Sequence, residues 1–89
     1  MTDSQGKSFR CPCCRHKTLS TEAGYEICPI CYWEDDGQGD ARADEVWGGA
    51  NGELSLSQAR TNYKVYGASD LAYKDSVRGP LLDEIWHAG

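Results

Sequence analysis

Two cysteine pairs of the same design are the residues of this chain best suited to chemistry. They are Cys11-Pro12-Cys13-Cys14 and Cys28-Pro29-Ile30-Cys31, with thirteen residues between Cys14 and Cys28. Two C-x2-C pairs at this separation are typical of one tetrahedral metal site with four sulfur ligands. The proline after the first cysteine fixes φ at roughly −65° and favours a tight turn, so both thiolates of a pair can reach the same ion.

We therefore predict four metal ligands, which are Cys11, Cys14, Cys28 and Cys31. A closed site of four thiolates is structural as a rule, and one Zn²⁺ ion is the expected cofactor. A rubredoxin-type iron site that carries electrons uses the same spacing, so iron is the alternative. Thioredoxin-like redox chemistry needs a βαβ unit, which neither the length nor the pattern of this chain supplies.

Cys13 and His16 are the other candidate ligands near the first pair. A ligand set with Cys13 in place of Cys14 leaves a C-x-C pair, which is a poorer match, and four thiolates make His16 unnecessary. If Cys11 and Cys14 bind the ion, Cys13 points away from it. Cys13 is then either a packed side chain, which we favour, or a free thiol activated by nearby positive charge.

Length and composition indicate one small domain that a metal would help to fold. The chain has 89 residues, and its apolar fraction of 39% supplies only a thin core. It has no run of about 18 apolar residues that would cross a membrane, and residues 1–7 lack the apolar stretch of a signal peptide. We therefore expect a cytoplasmic protein, in whose reducing environment five cysteines favour metal binding over disulfides.

The chain divides into a tail and one zinc-stabilised domain with three parts. We expect a flexible tail at 1–8, a metal module at 9–33, an acidic glycine-rich loop at 34–54 and a helical part at 55–89. The strongest helix signal begins at Ser55, a candidate N-cap with Gln58 in a capping box, and ends before Gly67. Apolar residues recur at helical spacing on one face, at Leu56, Ala59, Tyr63 and Tyr66.

Shorter elements are predicted around this helix. We expect short strands at 17–21 and 25–27, a helical turn at 44–47, a second short helix at 69–77 and a last turn at 81–86. The predicted fold class is small α+β: a zinc-ribbon-like β-hairpin module with two C-P-x-C knuckles, packed against one or two short helices.

Several of these segments resemble a known family. The stretches 11–14, 25–36, 48–51, 56–63 and 66–68 are similar to the bacterial cysteine-rich CPCC family, over roughly residues 9–78. The most specific motif is the aromatic and acidic run that directly follows the second C-P-x-C. The resemblance implies a metal site and a shared fold, and it carries no established activity. Arg15-His16 departs from the family-like pattern, because glycine is common at this point of such knuckles.

Negative charge is concentrated in the middle of the chain. The formal net charge is −5, and residues 18–54 carry nine acids against Arg42 alone. A nucleic-acid binder neutralises phosphates with basic residues, so this charge disfavours nucleic acid as a partner. It favours a basic protein. Basic residues on either side of the first pair keep a nucleic-acid-binding zinc ribbon as an alternative; they are Lys7, Arg10, Arg15 and Lys17.

We expect a partner to contact the aromatic and acidic residues that follow the second pair. These candidates are Tyr32, Trp33, Glu34, Asp35, Asp36 and Asp40. Tyr and Trp are enriched at interface hot spots. The spacing of the acids does not match a calcium-binding loop, which disfavours a second metal site. Arg60 on the predicted helix is a candidate ion-pair partner for this loop.

The sequence favours a non-enzymatic function. It contains no G-x-S-x-G, P-loop or H-E-x-x-H motif, and four thiolates leave no open position on the ion for water. The leading hypothesis is a zinc-binding protein-interaction module, in its most specific form an acidic inhibitor or immunity protein that binds a basic toxin. The alternatives are a rubredoxin-like iron electron carrier and a nucleic-acid-binding zinc ribbon.

Overall fold

A short β-hairpin opens the part of the chain that is described by the computed structural model, residues 9–80. Strands β1 (Phe9–Arg10) and β2 (Lys17–Leu19) pair in antiparallel fashion. Phe9 faces Leu19 and Arg10 faces Lys17, so the register shifts between the two pairs. The first cysteine pair lies in the connection between these strands.

That connection is a compact turn over residues 11–16, which we call the first knuckle. The backbone N–H of Cys11 donates to the carbonyl oxygen of His16 at 2.8 Å, and the N–H of Arg15 donates to the carbonyl of Cys11 at 2.8 Å. Arg15 has a φ of 70°, in the left-handed region that glycine favours. The first knuckle therefore forms the expected turn without the glycine.

Residues 28–33 form a second knuckle with the same backbone geometry. The N–H of Cys28 donates to the carbonyl of Trp33 at 3.0 Å, and the N–H of Tyr32 donates to the carbonyl of Cys28 at 2.8 Å. Tyr32 has a φ of 71°, which matches Arg15 in the first knuckle. Ile27 and Glu34 close this turn through a single antiparallel bridge, where the sequence suggested a strand at 25–27.

The acidic loop contains two turns of 3-10 helix. They cover Asp40–Arg42 and Gly49–Asn51, on either side of the helical turn expected at 44–47. That expectation is wrong because Val46 is extended and bridges Ser55 in antiparallel fashion. The bridge leads the chain directly to the start of the helix.

Helix α1 (Leu56–Tyr66) has the boundaries that its end residues predict. The side chain of Ser55 accepts a hydrogen bond from the backbone N–H of Gln58 at 3.0 Å. Gly67 has a φ of 79°, and its N–H donates to the carbonyl of Tyr63 at 2.9 Å. The side chain of Gln58 donates to Asn62.

The second helix predicted at 69–77 is mostly wrong. A 3-10 turn at Leu71–Tyr73 takes its place, and the side chain of Asp70 caps it by accepting from the N–H of Ala72 at 3.0 Å. The tail expected at 1–8 and the turn expected at 81–86 lie outside the described residues. No helix within residues 9–80 is long and apolar enough to cross a membrane.

The core lies between the two knuckles and α1. Its largest fully buried side chains include Leu19, Ile30, Trp33 and Leu56, and the cysteines pack among them. One hairpin, one helix with 3-10 turns and a group of four cysteines make up the described chain. The predicted small α+β class is thereby confirmed.

Candidate metal centre

The two knuckles bring four cysteine sulfurs into one cluster. The Sγ atoms of Cys11, Cys14, Cys28 and Cys31 all lie within 4.8 Å of one another. The sulfurs of Cys11 and Cys31 are 3.5 Å apart, and those of Cys14 and Cys28 are 3.7 Å apart. A tetrahedral ion with metal–sulfur bonds of about 2.3 Å places neighbouring sulfurs about 3.8 Å apart. The cluster therefore has the dimensions of a four-sulfur site for one metal ion.

This four-sulfur cluster is closed to solvent. Cys11, Cys28 and Cys31 have no exposed surface, and Cys14 is 8% exposed. None of the five cysteines, all of which lie within residues 9–80, forms a disulfide. Four buried protein ligands fill a tetrahedral shell, which is the arrangement of structural metal sites.

Each knuckle also directs a backbone N–H at its first cysteine. The N–H of Cys13 lies 3.4 Å from the sulfur of Cys11, and the N–H of Ile30 lies 3.4 Å from the sulfur of Cys28. The hydroxyl of Thr18 donates to the sulfur of Cys28 at 3.1 Å. Hydrogen bonds of this kind stabilise negative charge on sulfur and therefore favour thiolate ligands.

The cluster needs a cation to hold all four sulfurs as thiolates. Hydrogen bonds from the side chains of Cys11, Cys14 and Cys31 lower the pKa of Cys28. Hydrogen bonding to Cys11 raises the pKa of Cys14 and of Cys31, and burial adds to both shifts. A divalent ion at the centre would replace the protons of these thiols, so the donor set fits such an ion.

Cys13 and His16 lie outside this group. Cys13 is 4% exposed and belongs to the apolar core. The ring of His16 meets the ring of Tyr63 edge-on, with centroids 6.1 Å apart. Its Nδ1 atom is buried and finds no hydrogen-bond partner among residues 9–80. Both side chains therefore have packing roles beside the cluster.

Two residues of the expected partner surface are buried, which corrects that prediction. Trp33 has no exposed surface, because it is the largest side chain of the core. Asp35 is 5% exposed, and its carboxylate accepts the backbone N–H groups of Ala23 at 2.7 Å and Gly37 at 3.4 Å. Neither side chain can reach a partner without a change in the fold.

The other expected contact residues are partly committed to the fold. Asn51 bonds the backbone of Glu34 on both its N–H and its carbonyl, at 3.0 and 2.8 Å. Asp36 accepts from the N–H of Gln38 at 3.1 Å, and the ring of Tyr32 lies 4.6 Å from that of Tyr73. These contacts order the loop.

Asp40 is exposed and pairs with two arginines. Its Oδ1 lies 2.6 Å from Arg60 Nη2 and 3.2 Å from Arg15 Nη2. The hydrogen bond from Arg60 and the charge of Arg15 lower the pKa of Asp40. The predicted ion pair between Arg60 and the acidic loop is confirmed.

Sequence reasoning missed an exposed apolar pair in the acidic loop. Val46 is 57% exposed and Trp47 is 43% exposed. The indole N–H of Trp47 donates to Glu45 Oε1 at 2.9 Å. The signal was present, because two large apolar residues directly follow Asp44-Glu45 in a polar segment with little helical or strand periodicity.

Comparison with known proteins gives one finding. A family model described as "Cysteine-rich CPCC" matches residues 9–84. The matched region contains both knuckles, the acidic loop and α1. No curated protein and no solved structure matches the sequence.

Proposed function

The chain belongs to the cysteine-rich CPCC family, and we propose that it is a non-enzymatic cytoplasmic protein. In this proposal the protein is stabilised by zinc and binds a basic protein partner. The closed cluster of four cysteines supports a structural role for the metal, since protein ligands fill its coordination shell. When bound, zinc would link the two knuckles and contribute folding free energy to a domain with a small core.

Exposed Trp47 is the observation that carries the binding proposal. Its hydrogen bond to Glu45 fixes the orientation of the indole, and the neighbouring residue Val46 is also exposed. The buried side chain of Gln38 donates to the carbonyls of Arg42 and Glu45 and so holds this segment in place. An exposed aromatic side chain with a fixed position loses little conformational entropy on binding, which suits an interface anchor.

The charges near Trp47 favour a basic partner. Asp44, Glu45 and Glu53 are exposed in the same loop. Arg42 lies 3.6 Å from Glu45, whereas Asp44 and Glu53 form no ion pair among residues 9–80. Such a surface attracts a basic protein and accelerates its association at low ionic strength. An inhibitor or immunity protein that blocks a basic toxin, such as a nuclease, is the most specific form of this proposal.

Site-specific photo-crosslinking tests the proposal. A photoreactive phenylalanine analogue replaces Trp47 in cells that naturally produce the protein, and the same analogue at Val65 is the control. Val65 is 68% exposed on α1 and has no acidic surroundings in sequence. We expect irradiation to join position 47, but not position 65, to one basic protein.

The identity of the adduct decides the result. The double variant Asp44→Asn, Glu45→Gln should reduce the yield at position 47, and added salt should do the same. Identical adducts from both positions, an acidic captured protein, or no adduct from position 47 would each contradict the proposal.

Iron-based electron transfer is the second candidate function. The N–H groups that point at the sulfurs of Cys11 and Cys28 favour it, because such contacts help to set the potential of an iron–thiolate site. Protein purified without oxygen can be examined for metal content and visible absorption. One iron per chain with reversible reduction would support electron transfer, and one zinc with no visible band would reject it.

A further inference from the structure

A cavity of about 320 Å³ opens where the first knuckle meets α1. Residues from both elements line it, namely Cys13, Cys14, Arg15, Arg60, Tyr63 and Lys64. Three of the six carry a positive charge, although the whole chain is acidic. We call Arg15, Arg60 and Lys64 the basic wall.

The cavity reaches the most accessible ligand of the cluster. Cys14 is 8% exposed, while the other three ligands are fully buried. The space between the sulfur of Cys14 and the basic wall is therefore cavity rather than packed core. The cavity opens to solvent, so water and salt screen the interaction between charges on its two sides only in part.

Arg60 is held firmly at this position. Its Nε donates to the carbonyl of Pro12, inside the first knuckle, at 2.9 Å. Its Nη2 donates to Asp40 Oδ1, the same oxygen that Arg15 approaches at 3.2 Å. Two guanidinium groups thus share one carboxylate. With Lys64 included, the group keeps a formal charge of about +2.

The metal centre would carry the matching charge. Four thiolates and one divalent ion leave a net charge of about −2 in a site with almost no solvent contact. Buried charge is costly unless opposite charge lies close to it. We propose that the basic wall compensates the negative charge of the metal–thiolate centre, and that Arg60 is the positioning residue that fixes the wall against the first knuckle.

This role differs from two simpler ones. A site for an anionic ligand would need surplus positive charge. Here the negative charge of the metal centre already balances the positive charge of the basic wall. A purely mechanical clamp would need only the hydrogen bond from Arg60 to Pro12, and it would give Lys64 no effect on the metal. The proposal holds for either zinc or iron, and it does not depend on partner binding.

Zinc affinity measured by competition with a chelator separates these roles. We expect Arg60→Gln to weaken zinc binding about 10-fold, as for other residues that support metal ligands. We expect Lys64→Gln to weaken it about 3-fold, the size of effect of one partly solvated charge. The matched control is Lys74→Gln, which removes the same charge from an exposed site outside the cavity. It should change the affinity less than 2-fold.

Salt dependence distinguishes charge from geometry. At about 1 M salt the screening length falls to about 3 Å, so the difference between Lys64→Gln and the wild type should disappear. Equal effects of Lys64→Gln and Lys74→Gln at low salt would overturn the proposal. A Lys64→Gln effect that is as large at high salt as at low salt would also overturn it.

Iron-loaded protein gives a second readout that does not depend on metal affinity. Reduction adds one electron from the electrode, takes Fe³⁺ to Fe²⁺, and changes the charge of the centre from about −1 to about −2. A compensating cation stabilises the reduced form more. Lys64→Gln should therefore lower the reduction potential relative to both the wild type and Lys74→Gln. An unchanged or higher potential would contradict the proposed role even if Arg60→Gln does not fold.

Discussion

The first knuckle (11–16) and the second knuckle (28–33) have the same backbone conformation at corresponding positions, but their side chains differ. The third position is Cys13 in one and Ile30 in the other, and both are buried. The fifth position has a φ of 70° at Arg15 and 71° at Tyr32. Ligand geometry is therefore set by proline, cysteine and backbone hydrogen bonds, and it tolerates different neighbours.

The two knuckles also differ in what holds them in the fold. The first contacts α1 through the hydrogen bond from Arg60 to Pro12 and is surrounded by charge. The second contains the fully buried ring of Trp33. Later backbone also bonds to it, since the N–H of Ser69 donates to the carbonyl of Cys31 at 2.7 Å. The first knuckle is thus attached to the helical part through a side-chain hydrogen bond from Arg60, and the second through backbone hydrogen bonds from later residues.

The largest expected effect should not distinguish the knuckles. Cys11→Ser and Cys28→Ser each remove one of four ligands, and structural zinc contributes an apparent 10–16 kcal/mol in small metal domains, roughly the whole stability of a domain. We expect both variants to lose the metal and the folded circular dichroism spectrum. Cys13→Ala is the control and should retain one ion per chain. A folded, metal-loaded Cys11→Ser protein would show that the first knuckle is dispensable.

Substitutions at the sixth position should show the largest difference in stability between the two knuckles. Trp33→Ala removes a fully buried indole and should cost about 3–5 kcal/mol in the free energy of unfolding. His16→Ala removes a half-buried ring with one edge-on contact to Tyr63 and should cost about 1 kcal/mol. Denaturation of the metal-loaded proteins by urea measures both values. Equal losses would mean that packing supports the two knuckles alike.

Glycine at the fifth position should give a smaller difference. Glycine relieves backbone strain of about 1 kcal/mol at a positive φ but adds flexibility to the unfolded chain. Arg15→Gly also loses an exposed ion pair and one charge of the basic wall, so we expect stability within about 1 kcal/mol of the wild type. Tyr32→Gly loses its ring contact with Tyr73 and should be about 1–2 kcal/mol less stable. The same urea titration compares the two, and a more stable Tyr32→Gly would reverse their order.

The smallest expected effect near neutral pH lies on the side of the first knuckle, because it appears only under alkaline conditions. Burial raises the pKa of Tyr63 to about 12, and negative sulfurs of the cluster add to the shift. The unfolded value is about 10, so the folded state binds more protons between these values. The stabilisation is complete below pH of about 10 and is lost as the pH rises through about 12. Tyr63→Phe should remove this decline, and a phenolate titration that this variant leaves unchanged would contradict the assignment.

Local signals predicted the ligands and the helix. The C-P-x-C spacing was sufficient for the four cysteines, because each turn is closed by hydrogen bonds within six residues. Ser55 and Gly67 marked the ends of α1 for the same reason, since each interacts within its own turn of helix. Arg60 was also placed correctly beside the acidic loop.

Features that depend on distant contacts could not be predicted in the same way. Trp33 and Asp35 looked like surface residues beside other acids, but the alternation after Cys31 turns both inward. The predicted second helix stops after one turn, and the backbone N–H of Arg78 bonds to the carbonyl of Pro29 instead. Sequence patterns describe each segment alone, whereas these outcomes depend on which segment lies next to it.

The order of the ligands along the chain has a consequence for biosynthesis. All four cysteines precede residue 32, whereas the groups that later bond to the knuckles come from Arg60, Ser69 and Arg78. At typical ribosomal speeds of 5–20 residues per second, about 2–9 s separate the synthesis of Cys31 from that of Arg78. A nascent chain thus presents the complete ligand set before its covering exists. Metal can be captured during translation, and the finished protein need not open to receive it.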